Sequence, residues 1–367
     1  MKALGIDPGT SSFDIFCIDD MDKIVLEESV PTSIVVKKPE VLFKIVEKAK
    51  PDVMVGPSAM GIPCKHISQM SDEDIAFATL AKNTEVDIAI RRFIRMLKEF
   101  KYNAYFIPGV IQLPTIPLYR KTNRIDMGTA DKTCIAALAI LDHSREWKVN
   151  FSDANIIVVE LGFGFNAVMA IEKGKIVDGI GGTVFPGPGF LTIGTMDLEL
   201  SHILGHFSEE QLCFGGVSYI ASDGIMTPEE FAKKIGGEER FSIALKTLVE
   251  GVIKAVAMEL SILNAKPKEI LFSGRLCRVN TIYESLIESI ETRLDISTRR
   301  IRGFSSSTKE AAQGAALIAN GLGKGVYKSL IDTMMLKKAK GTVLDYIYWP
   351  SFKIKDIMAS KIKAMKT

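Results

Sequence analysis

Cysteine and long apolar runs are scarce in this 367-residue sequence, and each shortage closes off a class of protein. The five cysteines (Cys17, Cys64, Cys134, Cys213, Cys277) are odd in number, widely separated and free of any C-x-x-C, which argues against a disulfide framework and a thiolate zinc site. They are expected to be reduced and mostly buried. The longest apolar run, the seven residues Ile135 to Leu141, falls far short of the ~20 needed to cross a bilayer, so no membrane partner is expected. Strand-like residues begin at Ala3, before any signal core could fit, and the chain is expected to be cytoplasmic. An excess of one charge is missing too: 46 basic residues against 44 acidic leave +2, which excludes a wholesale nucleic-acid binder. What the sequence does have is 47% hydrophobic residues, enough for two cores and too many for disorder.

The chain reads as two similar halves. The first gives an apolar run (ALGID), a small-residue turn (PGTSS), a second run (FDIFCI) and a third (KIVLEESV), which together predict a three-strand meander. A helix over Pro39 to Ala49, a strand DVMVG, a helix from about Glu85 to Phe100, a strand AYFIPG and a helix from Thr129 to Leu141 follow. The second half repeats the order with NIIVVEL, a GFG turn, FNAVMAIEK, KIVDGIG, a long insertion and a helix striped with Phe241, Leu245, Leu248, Val252 and Val256. It then runs through strand EILFSG, helix Val279 to Thr292, a strand near Ile301 and helix Thr308 to Leu322. Asp7 to Gly9 and Glu160 to Gly162 are both steps of two, so each half ends its first strand on an acid followed by a glycine turn. Such self-similarity is the mark of a duplicated fold. The expected domains are 1–150 and 151–325, the latter with an insertion over 181–239, followed by an extension over 326–367.

The turn Pro8, Gly9, Thr10, Ser11, Ser12 brings small residues, converging N–H groups and hydroxyls to one place, which suits a phosphate. Asp7, at the edge of the first strand, is placed to hold Mg²⁺ through water or to orient a nucleophile. An ordinary Asp-Pro-Gly turn is the alternative. The second turn, with Gly162 and Gly164 after Glu160, makes a pair suited to a polyphosphate. Ser273, Gly274 and Arg275, after a strand, suit a base or ribose, or form a plain connector. The helix Glu310 to Gly321 has a small-residue face around Gly314, a close-packing device that sometimes floors a nucleotide pocket.

The segments GIDPGTSS, VVELGFGFNAVMAI, ILFSGR and AAQGAALIANG resemble the phosphate-one, phosphate-two, adenosine and terminal-helix elements of the acetate and sugar kinase, heat-shock chaperone and actin superfamily. The likeness spans roughly residues 1 to 325. It implies an α/β, duplicated ribonuclease-H-like (actin-like ATPase) fold whose two domains hold ATP and Mg²⁺ in a cleft. ELGFG with the downstream EKGKIVDGIGGTVFPGPG is similar to the butyrate and acetate kinase branch, and to an archaeal family described as predicted butyrate kinases. That narrower likeness implies transfer of the γ-phosphoryl group to a small-molecule carboxylate. The sequence departs from the acyl kinase pattern at three points. Glu160 stands where those enzymes carry His, Gly187 to Met196 contains no Arg, and Arg275 replaces the second of paired glycines.

An acceptor site needs positive charge, and Tyr119 to Lys132 supplies it with Arg120, Lys121, Arg124 and Lys132 around Asp126 and Asp131. Arg can fork onto a carboxylate or the moving phosphoryl group, and Asp126 or Asp131 can accept a proton from a hydroxyl acceptor; a self-neutralising loop is the alternative. Two further loops could close the pocket or serve as scaffolding: Gly56 to Lys65 with Ser58, and Gly181 to Gly189 with Gly182 and Gly187. His202 and His206 are four apart, but Gly205 interrupts the helix and no H-E-x-x-H occurs, so no metal site is expected there. Two function classes remain, an acyl kinase and a nucleotide-dependent regulatory ATPase or switch, with a sugar or polyol kinase more remote. The last 44 residues hold ten lysines against Asp332, Asp345 and Asp356, a balance of +7, so the +2 total leaves −5 for residues 1–323. Ile354, Ile357, Met358, Ile362 and Met365 fall at helical spacing there. They predict a basic amphipathic helix packing on the first domain or, in a homodimer, on a partner subunit.

Overall fold

Two almost continuously buried apolar runs, followed by a third that is partly exposed, set the first sheet. In the computed structural model, which describes residues 1–57, 59–80, 82, 84–205, 208, 210–348 and 354–364, the chain divides into two compact units. Unit one comprises Met1–Asp153, Gly174–Ile176 and Arg302–Thr367; unit two comprises Ala154–Lys173 and Val177–Ile301. Ser58, His206 and Met365, three residues singled out above, lie outside the described residues.

Unit one opens with β1 (Ala3–Pro8), β2 (Ser12–Ile18) and β3 (Ile24–Pro31), an antiparallel meander in which Asp7 sits opposite Asp14. There follow α1 (Thr32–Lys37), α2 (Glu40–Ala49), β4 (Val53–Val55), β5 (Lys65–His66), α3 (Asp72–Ala78), α4 (Glu85–Glu99), β6 (Ala104–Phe106), α5 (Leu118–Lys121) and α6 (Ala130–Trp147). β4 adds to β1 in parallel and β6 adds to β4, giving the order β3-β2-β1-β4-β6-β5. The apolar faces of α2 and α4 close one side through Leu42, Val46, Phe93 and Ile94. α6 runs two turns past its predicted end at Leu141, stopping where Lys148 takes the left-handed conformation.

Unit two repeats the pattern with β7 (Ile156–Leu161), β8 (Asn166–Glu172), β9 (Lys175–Gly181), α7 (Leu198–Leu204), α8 (Val217–Ser222), α9 (Pro228–Lys234), α10 (Glu239–Leu260), β10 (Glu269–Ser273), α11 (Asn280–Leu294) and β11 (Thr298–Arg300). Its order, β9-β8-β7-β10-β11, matches that of β3-β2-β1-β4-β6 strand for strand. The predicted stripe on α10 faces this core, with Phe241, Leu248, Val252 and Val256 buried and Leu245 packed against them. Gly187, in the glycine-rich loop, lies against α10, since a β-carbon there would come within 2.6 Å of the Gly251 Cα.

The helix predicted to complete the second half behaves differently. α12 (Glu310–Leu322) packs within unit one, where Ala312 and Ala316 cluster with Phe16 and Ile18 of β2. A β-carbon on Gly5 of β1 would collide with the backbone of Ala312 and Ala316, and one on Gly314 would collide with the Cys134 carbonyl of α6. Small residues on three elements let α12 lie this close. After it come α13 (Lys328–Thr333) and α14 (Ile354–Ala364). α14 docks on α3 of the same unit, with Met358 buried beside Ala76 and Ile362 packed on them, while Ile357 faces solvent. Among the described residues, no helix is long and apolar enough to cross a membrane.

Candidate functional site

The C-terminal end of β1 delivers Asp7 to the mouth of unit one, and the turn after it is fixed from outside. Thr32 Oγ1 donates to Gly9 O at 2.8 Å and Thr32 N to Ser11 O at 3.0 Å, which leaves Thr10 and Ser11 exposed at the tip. A small cavity of about 10 Å³, room for roughly one water molecule, opens beside Asp7 and Asp131; Ile6, Val55, Ile107 and Cys134 form its apolar wall. Asp131 arrives on the first turn of α6, where its carboxylate accepts from Thr129 Oγ1 and, at 2.5 Å, from Lys132 Nζ.

These two carboxylates are held differently. Burial pushes Asp7 up to about 6, with Asp131 and Asp14 pushing the same way against the pull of Lys309 and Lys132. Burial acts on Asp131 as well, but Lys132 and the Thr129 hydroxyl outweigh it and hold the carboxyl below its ordinary value. Asp131 therefore keeps its charge, and Asp7 is the acid most easily neutralised by a proton or a cation. Asp126, by contrast, builds the turn before α6: its Oδ1 accepts from Gly128 N at 2.7 Å, Gly128 takes a φ of +124°, and burial pushes its carboxyl up.

The basic segment splits into structural and surface residues. Lys121 is buried, donates to Leu113 O at 2.8 Å and lies 4.9 Å from the Tyr346 ring centroid; desolvation draws its ammonium down to about 8. Arg120 is half-buried over the Tyr119 ring and Arg124 is exposed, and neither lines the cavity. Only Lys132 of that segment joins Asp7 and Asp131.

One residue of the cluster has no local mark in the sequence. Lys309, at the N-cap of α12, donates from Nζ to Ser12 O at 2.7 Å and lies 3.4 Å from Asp7 and 3.3 Å from Asp14. Its partners are almost 300 positions away in the chain. The approach of α12 to β1, readable in hindsight from the small residues on both, is the signal that could have found it.

In unit two, the glycine turns pack around an acid. Glu160 is 7% exposed, and a β-carbon on Gly162 or Gly274 would come within 3.1 or 2.8 Å of its Oε1. β10 sets Ser273 beside Glu160 in register, and the buried Ser273 Oγ makes no hydrogen bond. Gly164 and Gly189 are in close contact, a β-carbon on the latter falling 2.6 Å from Gly164 O. Other residues singled out from the sequence have partners within the fold. Arg275, proposed for a base, ion-pairs with Glu229 of α9; Gly314 serves the contact of α12 with α6; and Gly182 and Gly187 shape or pack the insertion. His202 stands on α7 among the described residues, none of which gather three or more metal-binding side chains.

The sequence pattern of the family described as "Protein of unknown function (DUF1464)" matches residues 5–349. The chain belongs to this family. No curated protein matches the sequence. Among solved structures, the chain is similar to a propionate kinase from Francisella tularensis subsp. tularensis SCHU S4, with a TM-score of 0.63 and 17% identity over 86% of this chain and 98% of that one. It is similar to an acetate kinase from Entamoeba histolytica, with a TM-score of 0.59 and 13% identity over 80% of this chain and 87% of that one. An acetate kinase from Porphyromonas gingivalis gives a TM-score of 0.59 and 14% identity over 86% and 98%. Identities this low speak to the fold alone, which is a duplicated ribonuclease-H-like α/β fold.

The donor set suits Mg²⁺ by its chemistry. Magnesium keeps most of its water and is commonly held by one or two carboxylates together with substrate phosphates. Two carboxylates lining one cavity, Asp7 pushed up by burial and Asp131 held ionised, fit that requirement.

Proposed function

We propose that this protein is an ATP-dependent phosphotransferase of the acyl (butyrate and acetate) kinase type, passing the γ-phosphoryl group to a small carboxylate. The observation that carries the reading is the pairing of a turn with Thr10 and Ser11 exposed at its tip with two unequal carboxylates, Asp7 and Asp131, and the cation Lys132 in one unit. The names of the structural neighbours, acetate and propionate kinases, point to the same reaction class.

Each residue then has a task. The N–H groups of the turn and the hydroxyls of Thr10 and Ser11 donate to phosphate oxygens. Asp7 and Asp131 would hold Mg²⁺, whose charge with that of Lys132 lowers the cost of the negative charge gathered on the transferring group. The apolar wall of Ile6, Val55, Ile107 and Cys134 limits water beside the reacting centre. One bond forms, from the acceptor carboxylate oxygen to the γ-phosphorus, and one breaks, releasing ADP.

The test is trapping of the acyl phosphate with hydroxylamine. Purified protein with ATP, Mg²⁺ and short or branched fatty acids is expected to yield a hydroxamate, and Asp131→Asn to lower the yield about a hundredfold or more. A preparation that binds ATP yet gives no hydroxamate with any of these acids would overturn the acyl reading. A regulatory ATPase is the second reading, favoured by the positions of Arg120 and Arg124, which leave the cavity without an arginine for an acceptor carboxylate. It predicts slow ATP hydrolysis at a rate indifferent to added carboxylates.

A further inference from the structure

One ammonium in unit one is surrounded by acceptors. Lys309 Nζ has Ser12 O at 2.7 Å, Asp14 Oδ2 at 3.3 Å and Asp7 Oδ2 at 3.4 Å. Both acids are nearly sealed from water, Asp14 at 2% exposure and Asp7 at 6%. The ammonium also fills the hollow face of the glycine turn, so that a β-carbon on Gly9 would collide with it.

A purely structural ion pair is a poor account of this trio. Taking an ammonium and two carboxylates out of water costs about as much as their attraction returns, and a packed apolar group of similar volume often serves stability better. The trio also keeps a net negative charge at the place where the turn is shaped for an anion. The lysine is mounted in an unusual way: its backbone sits at the N-cap of α12, which is locked against β1 by the contact at Gly5, so only the four-carbon arm is free to move. A flexible arm on a fixed base can exchange one acceptor for another without rearranging the sheet.

We propose that Lys309 is a phosphate-binding residue of this site, resting on Asp7 and Asp14 while the turn is empty and turning its ammonium to a nucleotide phosphate when the turn is filled. The proposal rests on the nucleotide reading above and adds to it a ligand and an order of events. Departure of the ammonium uncovers Asp7, so a divalent ion gains its seat together with the nucleotide. Without nucleotide, the lysine competes with the metal for the same carboxylate.

The test is calorimetric titration of the full chain with ADP plus Mg²⁺ and, separately, with Mn²⁺ alone. Lys309→Met is expected to weaken ADP binding about tenfold or more, the loss of one charge-assisted hydrogen bond. It is also expected to bind Mn²⁺ alone more tightly than the wild type does. Lys309→Arg keeps the charge and is expected to hold ADP within a few-fold of wild type. Loss of packing alone would not move the two affinities in opposite directions. A Lys309→Met protein that melts near the wild type and binds ADP as tightly overturns the proposal. Should that variant fail to fold, Asp14→Asn decides: freeing one anchor should raise ADP affinity, and an unchanged or lower affinity overturns the proposal. A wild type that binds no ADP overturns the nucleotide reading and this proposal with it, whereas wild-type binding with an unaffected Lys309→Met overturns the role of Lys309 alone.

Discussion

Asp7 keeps its charge at neutral pH against burial, with its titration moved up to about 6 from an ordinary carboxylate value of 3.8. Between those two values the native state binds more protons than the unfolded chain, so stability falls as pH rises through that window and levels off above it. Asp7→Asn removes the titration. The wild type is therefore expected to lose stability relative to the variant between about pH 4 and pH 6, by on the order of 2–3 kcal/mol, with a constant gap above pH 7. Thermal melts of both proteins across pH 4–8 check this, and a difference that stays flat from pH 4 to pH 7 would sink it. The same substitution should abolish binding of Mg²⁺–ADP while leaving the empty protein more stable, the exchange of stability for function expected of a site residue. At this scale Asp7 and its turn were legible, because an acid two residues before a glycine recurs at Glu160 and Gly162. Lys309 was not, because its carboxylate partners come from the other end of the chain. Arg120 and Arg124 lie outside the lining of the cavity, a placement that charge density in the sequence could not give.

The two meanders followed from apolar runs and the small-residue turns between them, and the element order repeated in the sequence is matched by a strand order repeated in the two sheets. The allegiance of α12 did not follow, because a small-residue helix fits against any closely approaching surface and its partner is settled only by the shape of that surface. Here Gly5 and the Cys134 carbonyl provide it. Gly314→Ala tests the contact. The new methyl group has backbone in its place and no flexible side chain to displace, so a loss of roughly 1–3 kcal/mol is expected, from overpacking between α12 and α6. Gly224→Ala is the control, as its added methyl group would meet nothing closer than 4.0 Å. Equal melting temperatures for the two variants would show that the α12 contact carries no strain. Because α12 also carries Lys309, the first variant should weaken nucleotide binding as well as stability, and the control should change neither.

Unit one is assembled from both ends of the chain. The amino group of Met1 binds Asp20 at 2.7 Å, Asn320 of α12 reaches the same Asp20 at 2.8 Å, and Arg302 N donates to Asp142 of α6 at 3.0 Å. Unit two is nearly continuous, Ala154 to Ile301 with three residues removed. The charge asymmetry of the sequence pointed to a distinct tail, and the helical spacing of Ile354, Met358 and Ile362 to a face docked on the first domain or on a partner subunit; α14 docks on α3 of unit one. This difference in assembly has a consequence for truncation. A chain ending at residue 348 lacks, among the described residues, α14 with its buried Met358, and should lose about 2 kcal/mol with its cooperative unfolding intact. A chain ending at residue 301 lacks α12, which leaves Phe16, Ile18 and the Gly5 face of the first sheet bare, while every strand of the second sheet remains. Hydrogen exchange is expected to show protected amides in β7, β8 and β10 of that shorter chain and rapid exchange in β1 and β2. Retained protection of β1 and β2 would mean that the first sheet holds without α12, and the close contact at Gly5 would then serve to place Lys309 rather than to complete the core.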